Sequence, residues 1–202
     1  MHAHPTGNGT GDGTGKGTGA GGGAGTGEGT GDAGLDAFNA LPADVAAARL
    51  LECLAVPRWA AEVAAGRPYP SAAALRDAAT AAGLAMTDDE VVEALSRHPR
   101  IGERPAGPGR ETSQSERWSR SEQGGVDAGD PVLAMALRAG NREYEEKFGY
   151  VFLIRAAGRS GAEILAALDE RLTHDWPEEK PVVRRELTEI AVLRLERVLA
   201  GE

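Results

Sequence analysis

The run PVVRRELTEIAVLRLERVLAG, residues 181–201, decides the fold. At about 100° per residue, Val183, Leu187, Ile190, Ala191, Leu195 and Val198 fall on one stripe, the period of an amphipathic α-helix. Arg194 falls near the middle of that same stripe. A guanidinium keeps its charge at neutral pH, so its burial demands an anionic partner, either a protein carboxylate or a ligand. Arg197, at the stripe's edge, reads as solvated.

Helix signals continue upstream. LPADVAAARLLECLAV (41–56) has Pro42 near a first helical position, and PRWAAEVAAG (57–66) begins at Pro57 and stops at Gly66. SAAALRDAATAAG (71–83) has Ser71 as cap and Gly83 as stop. TDDEVVEALSRH (87–98) opens with Thr87 and Glu90 as a capping box and ends near His98, because Pro99 disfavours helical geometry in the residue before it. An irregular loop, ERPAGPGRE (103–111), leads to a polar helix, TSQSERWSRSEQ (112–123), ended by Gly124 and Gly125. DPVLAMALRAGNREYEEKFG (130–149) pairs the cap Asp130 with Pro131 and runs to about Lys147, and SGAEILAALDERL (160–172) carries a second box, Ser160 with Glu163. The one strand-like run, YVFLIRA (150–156), is too solitary for a sheet, and no repeat of fixed period is present. The pattern predicts an all-α, single multi-helix domain over residues 35–202.

Residues 1–34 are almost entirely Gly, Thr, Ala and Asp. Such a segment cannot bury enough apolar surface to offset the entropy of ordering it, so a disordered tail is expected, with neither the basic start nor the apolar run of a signal peptide. No window approaches the roughly 18 apolar residues of a membrane span, so no membrane partner is expected. The net charge of −9 disfavours a nonspecific grip on nucleic acid. Cys53 is the single cysteine, which rules out an internal disulfide and points to a reducing compartment, the cytoplasm.

His2 and His4 lie in the Gly/Thr segment, leaving His98 and His174 as the domain's imidazoles, and no metal site is expected. There is no phosphate-binding loop with Lys, no G-x-S-x-G and no dinucleotide fingerprint. Any chemistry therefore rests on His, carboxylates, Arg and hydroxyls. His98 shares a helix face with Val91 and Leu95, so it closes an apolar stripe, as a core or capping histidine or as a reactive one. In SRSEQ (119–123), Ser119, Glu122 and Gln123 fall at i, i+3 and i+4, which gathers hydroxyl, carboxylate and amide on one patch unless that face is simply solvated.

Four motifs, in order, resemble one family. HPRIG (98–102), S-x-x-EQ at Ser119, Glu122 and Gln123, N-x-x-Y-x-x-KFG (141–149) and EI-x-x-LRL (189–195) are similar to those of 2-oxo-4-hydroxy-4-carboxy-5-ureidoimidazoline (OHCU) decarboxylases, from about Leu35 to the end. The resemblance implies an all-helical, cofactor-free homodimer that yields (S)-allantoin and carbon dioxide late in urate breakdown. It implies His98, Glu122 and Arg194 as catalytic side chains, with Pro99, Ser119 and Gln123 at the substrate. Main-chain groups of Tyr150, Val151, Phe152, Leu153 and Ile154 resemble the segment that bonds the substrate's ureido and ring amides, although Val151 stands where many members have proline.

On this reading His98 handles the substrate hydroxyl, favoured as imidazolium by its place at a helix C-terminus. Glu122 orients His98 or the hydroxyl, or serves as the acid, and Arg194 pairs with a substrate anion or carbonyl. Asn141 and Tyr144 are structural, His174 sits at a surface turn, and Arg100 has no role. Two other readings remain open. One is a non-catalytic helical interaction module in which His98, Glu122 and Arg194 form a buried polar network. The other is a helical transcription regulator, which the acidic balance opposes.

Overall fold

Helices form where the caps and the 3.6-residue period fall. The computed structural model describes residues 29–102, 113–124 and 130–202. Most of the Gly/Thr-rich segment (1–28), the 103–112 stretch containing the expected loop, and Gly125 lie outside the described residues. Among those described there are nine helices and no strand: α1 Gly29–Asn39, α2 Ala43–Cys53, α3 Pro57–Ala65, α4 Ala72–Leu84, α5 Asp88–Ser96, α6 Gln114–Glu122, α7 Pro131–Phe148, α8 Gly161–Arg171 and α9 Trp176–Ala200. Helix α1 opens at Gly29, six residues before the domain start that composition sets at Leu35. No described helix is long and apolar enough to cross a membrane.

The local signals explain most ends. Ser71 caps α4 by accepting from Ala74 N at 3.1 Å, and the Thr87–Glu90 and Ser160–Glu163 boxes both close. Helix α7 ends at Gly149, whose φ of +80° suits a residue without Cβ. Two ends differ from expectation. Helix α9 starts at Trp176 rather than Pro181, because Asp175 and Glu178 form a further capping box and Pro181, early in the helix, forfeits one main-chain bond. Gly83 lies inside α4, where a Cβ would sit 2.7 Å from Thr188 Oγ1; its absence lets α4 approach α9 closely.

Helix α9 is the spine, packed against α1, α2, α4 and α5. Its Val183, Leu187, Ile190, Ala191 and Leu195 join Leu50, Trp59, Leu75, Leu95 and Trp118 in the larger core. A second core lies between α7 and α8, built from Leu137, Tyr144, Ile164 and Leu168. The run Val151–Ala156 passes between the two. Leu153 packs into the first core with Val151 against it, and Phe152, Ile154 and Ala156 pack into the second. Side chains that alternate between opposite sides mark an extended chain, so YVFLIRA is strand-like in period because it divides two cores.

Gly83→Ala is expected to lower stability even though alanine is the better helix former by about 1 kcal/mol. Adding Thr188→Ala should recover part of the loss in a thermal melt. A Gly83→Ala chain as stable as the wild type contradicts the close α4–α9 contact.

Candidate active site

At the seam between the cores is a small pocket, enclosing about 280 Å³ of space that includes its opening to solvent. Three stretches far apart in sequence reach it. The turn after α5 brings His98, Pro99 and Ile101; α6 brings Ser119, Glu122 and Gln123; α9 brings Ile190 and Arg194. Leu153, Ile154 and Ala156 of the extended run complete the wall.

Arg194 is 1% exposed, and the anion its burial demanded is a protein carboxylate. Its Nε donates to Glu122 Oε1 at 3.0 Å and its Nη2 to Glu122 Oε2 at 2.9 Å, a bidentate pair. Nη2 also donates to Ser119 Oγ at 2.8 Å, and Nη1 to Ser115 Oγ at 3.1 Å and to Cys53 O at 3.5 Å. A guanidinium carries five N–H donors, and here five contacts use them. In this arrangement the Arg194 donors face α6 and α2. The i, i+3 spacing of Ser119 and Glu122 lets both reach one cation, and Ser115, one turn before Ser119, extends the same face.

His98 stands differently. Its Nδ1 lies 2.9 Å from Ala94 O. A carbonyl can only accept, so Nδ1 carries the proton and the Nε2 lone pair is left over. That Nε2 is buried without a partner among the described residues. Burial, followed by the positive charge of Arg194, lowers the His98 pKa from 6.5 to about 4. The imidazolium expected from the helix terminus is thus overturned: dehydration and a nearby guanidinium outweigh a terminal dipole, and His98 is neutral.

The turn that carries His98 is held from outside. Gly102, with φ of +77°, reverses the chain, Asn141 Nδ2 donates to Ile101 O at 2.9 Å, and Gly102 N donates to Gln123 Oε1 at 3.2 Å. That bond orients the Gln123 amide and leaves its NH₂ free to donate to a ligand. Ser119 Oγ likewise accepts from Arg194 and keeps its own O–H to donate.

Of the remaining candidates, Leu153 and Ile154 line this pocket, whereas Phe152 is turned into the second core and Val151 packs on the first. Tyr150 lines a separate cleft with Trp176, Lys180 and Arg184. Arg100 pairs with Glu145 across the surface. His174 does occupy the α8–α9 turn but is not simply a surface group, because its Nδ1 lies 2.7 Å from the wholly buried Glu179. Tyr144 donates its hydroxyl to Glu179 as well. Ile101, Ala156 and Ile190 also line the pocket, although the sequence marks Ile190 only as part of the α9 stripe, and Ser115, Arg171, Glu179 and Glu186 are polar groups that no motif marks. Glu179, Val183, Glu186 and Ile190 share one face of α9 at 4-3-4 spacing, a signal that these two acids are buried. Among the described residues no group of three His, Cys, Asp or Glu could hold a metal ion.

A family model described as OHCU decarboxylase matches residues 39–196. The chain belongs to the OHCU decarboxylase family. Among its relatives is the uric acid degradation bifunctional protein TTL of Arabidopsis thaliana, 36% identical over 105 residues, 52% of this chain and 30% of that protein. Another is the 2-oxo-4-hydroxy-4-carboxy-5-ureidoimidazoline decarboxylase of Halalkalicoccus jeotgali, 28% identical over 132 residues, 65% of this chain and 72% of the relative. The chain therefore spans under a third of the plant relative. A crystal structure of OHCU decarboxylase in the presence of (S)-allantoin superposes with a TM-score of 0.61 at 25% identity, covering 74% of this chain and 95% of that one. An (S)-allantoin synthase shares the fold, with a TM-score of 0.60 at 18% identity over 81% of this chain and 53% of that one.

In this family member, removing one half of the buried pair strands a charge. Glu122→Ala should cost about 3–5 kcal/mol in urea unfolding, and Glu122→Leu combined with Arg194→Met should regain much of it. A Glu122→Ala chain as stable as the wild type contradicts the pairing.

Proposed function

We propose that the chain decarboxylates OHCU to (S)-allantoin and carbon dioxide in urate breakdown. The observation that carries this reading is His98 Nε2, a buried, neutral lone pair without a partner in the pocket that also holds Glu122 and Arg194. Here the network of Arg194, Glu122, Ser119 and Ser115 is complete without it.

In OHCU a carboxylate and a hydroxyl share one ring carbon beside a C=N bond. Electrons released with carbon dioxide delocalise into that bond, so the ring is its own electron sink. The protein must hold the carboxylate out of the ring plane, manage the hydroxyl proton and protonate one face of the enol. His98 Nε2 accepts the hydroxyl's hydrogen bond and takes its proton. Glu122, held by Arg194, offers its remaining lone pairs to the ligand, and the Gln123 NH₂ and the Ser119 hydroxyl donate to carbonyl or carboxylate oxygens. Arg194 acts through Glu122.

The proposal includes a homodimer, supported by Val132 and Met135, which stand 74% and 67% exposed one turn apart on α7. It also includes a reducing, cytoplasmic setting, supported by the free, buried Cys53 thiol.

His98→Ala should lower kcat/KM by about 10²–10⁴-fold with helicity unchanged in circular dichroism; an active, well-folded variant removes His98 from the mechanism. The pH profile follows from the depressed pKa. The neutral base persists as pH falls through 6.5 and is lost only near 4, so the acid limb of kcat/KM should lie near pH 4. A limb centred at 6.5 contradicts the buried neutral state.

A further inference from the structure

Two side chains from outside the pocket hold the extended run that forms its wall. Arg171, at the end of α8, donates from Nη1 to Leu153 O at 2.7 Å, and Glu186 of α9 accepts from Arg155 N at 2.8 Å. Each is 4% exposed, and neither lines the pocket. Arg171 is itself fixed, with Nε on Glu179 Oε1 at 2.8 Å and Nη2 on the Tyr144 hydroxyl at 3.2 Å. Glu186 has Arg159 3.8 Å away.

In an extended chain the N–H and C=O of one residue face the same edge, and those of the next face the opposite edge. The alternation of Leu153 and Ile154 between the two cores establishes that geometry here. Leu153 O and Arg155 N therefore share the edge occupied by Arg171 and Glu186, and the Ile154 N–H and C=O face the other way. Among the described residues neither of those Ile154 groups has a hydrogen-bond partner, yet Ile154 is buried and lines the pocket. A buried main-chain pair of this kind calls for a partner, and an amide or ureide edge supplies a complementary acceptor and donor.

We propose that Arg171 and Glu186 are positioning residues, which pin the peptides on either side of Ile154 so that its N–H and C=O stand as a fixed donor–acceptor pair for an amide- or ureide-bearing ligand. This rests on the reading of the pocket as the OHCU site, where the family resemblance already puts main-chain groups of this run at the ureido and ring amides; what is new is the part of Arg171 and Glu186. Without the pins the two peptide planes can rotate, and the donor and acceptor lose their register with the ligand. The pinning also explains why charged groups are buried on the far side of the run, where they touch no ligand.

The test uses the full chain, OHCU turnover, and amide spectra titrated with (S)-allantoin. Glu186→Ala should raise KM about tenfold, the value of one well-placed hydrogen bond, with kcat within about twofold. Glu186→Gln keeps an acceptor oxygen and should return KM close to wild type. In the wild type the Ile154 amide resonance should shift on adding (S)-allantoin, and in Glu186→Ala that shift should shrink. A Glu186→Ala KM equal to wild type, or a Gln variant no better than Ala, overturns the assignment. Should Glu186→Ala fail to fold, the wild-type titration decides: an unmoved Ile154 amide while other pocket amides shift also overturns it. A wild-type chain that neither turns over OHCU nor binds (S)-allantoin instead removes the reading of the pocket, and this assignment with it.

Discussion

A guanidinium at 1% exposure, with every donor in use, constrains this structure more than any other group. Arg194 sits on the apolar stripe of α9, where a charge is tolerated only if an acid meets it. Glu122, 72 residues away in sequence, is that acid, and Ser115 and Ser119 take up the remaining polarity. Helix α6 has few apolar residues to dock with; Trp118 is its anchor in the core, and Arg194 sets its rotation. That rotation aims Glu122 and Gln123 at the seam where His98 waits. A buried ion pair of this sort adds little net stability over an apolar pair of equal shape, and here it specifies one arrangement of α6 on α9.

The same charge sets the electrostatics of the pocket. Lying among apolar walls and near Arg194, His98 is held neutral, with Nδ1 on Ala94 O and Nε2 left as a base. On the proposed function, preorganisation of this kind places His98 and Glu122 before a ligand arrives, so no reorganisation is required at the moment of reaction. The extended run applies the same logic to main-chain groups. It lies between two cores, its side chains lock it on both faces, and buried charges hold one edge.

How much of this was legible depended on whether the deciding force was local. Caps and period are local, which is why α2 to α8 fall close to where Ser71, Thr87, Asp130 and Ser160 put them. Pro181 reads locally as a helix start and Gly83 as a helix stop, whereas an upstream box at Asp175 starts α9 and a close contact with Thr188 requires the glycine inside α4. Arg194 announced an acid without naming it; either a ligand or a carboxylate satisfied the pattern, and only the docking of α6 selects Glu122. The charge on His98 is not legible in the sequence, because a helix end is visible there and dehydration is not. Arg171, Glu179 and Glu186 are hard to see because charged residues default to the surface, although the spacing of the two acids with Val183 and Ile190 marks a buried face.

The central claim is that this pocket releases carbon dioxide and then delivers a proton to one face of the enol. Its most direct measurement is the optical activity of allantoin formed from freshly generated OHCU, followed by circular dichroism with and without the wild-type protein. The account predicts (S)-allantoin in excess, formed faster than in buffer. Racemic allantoin appearing at the buffer rate contradicts it.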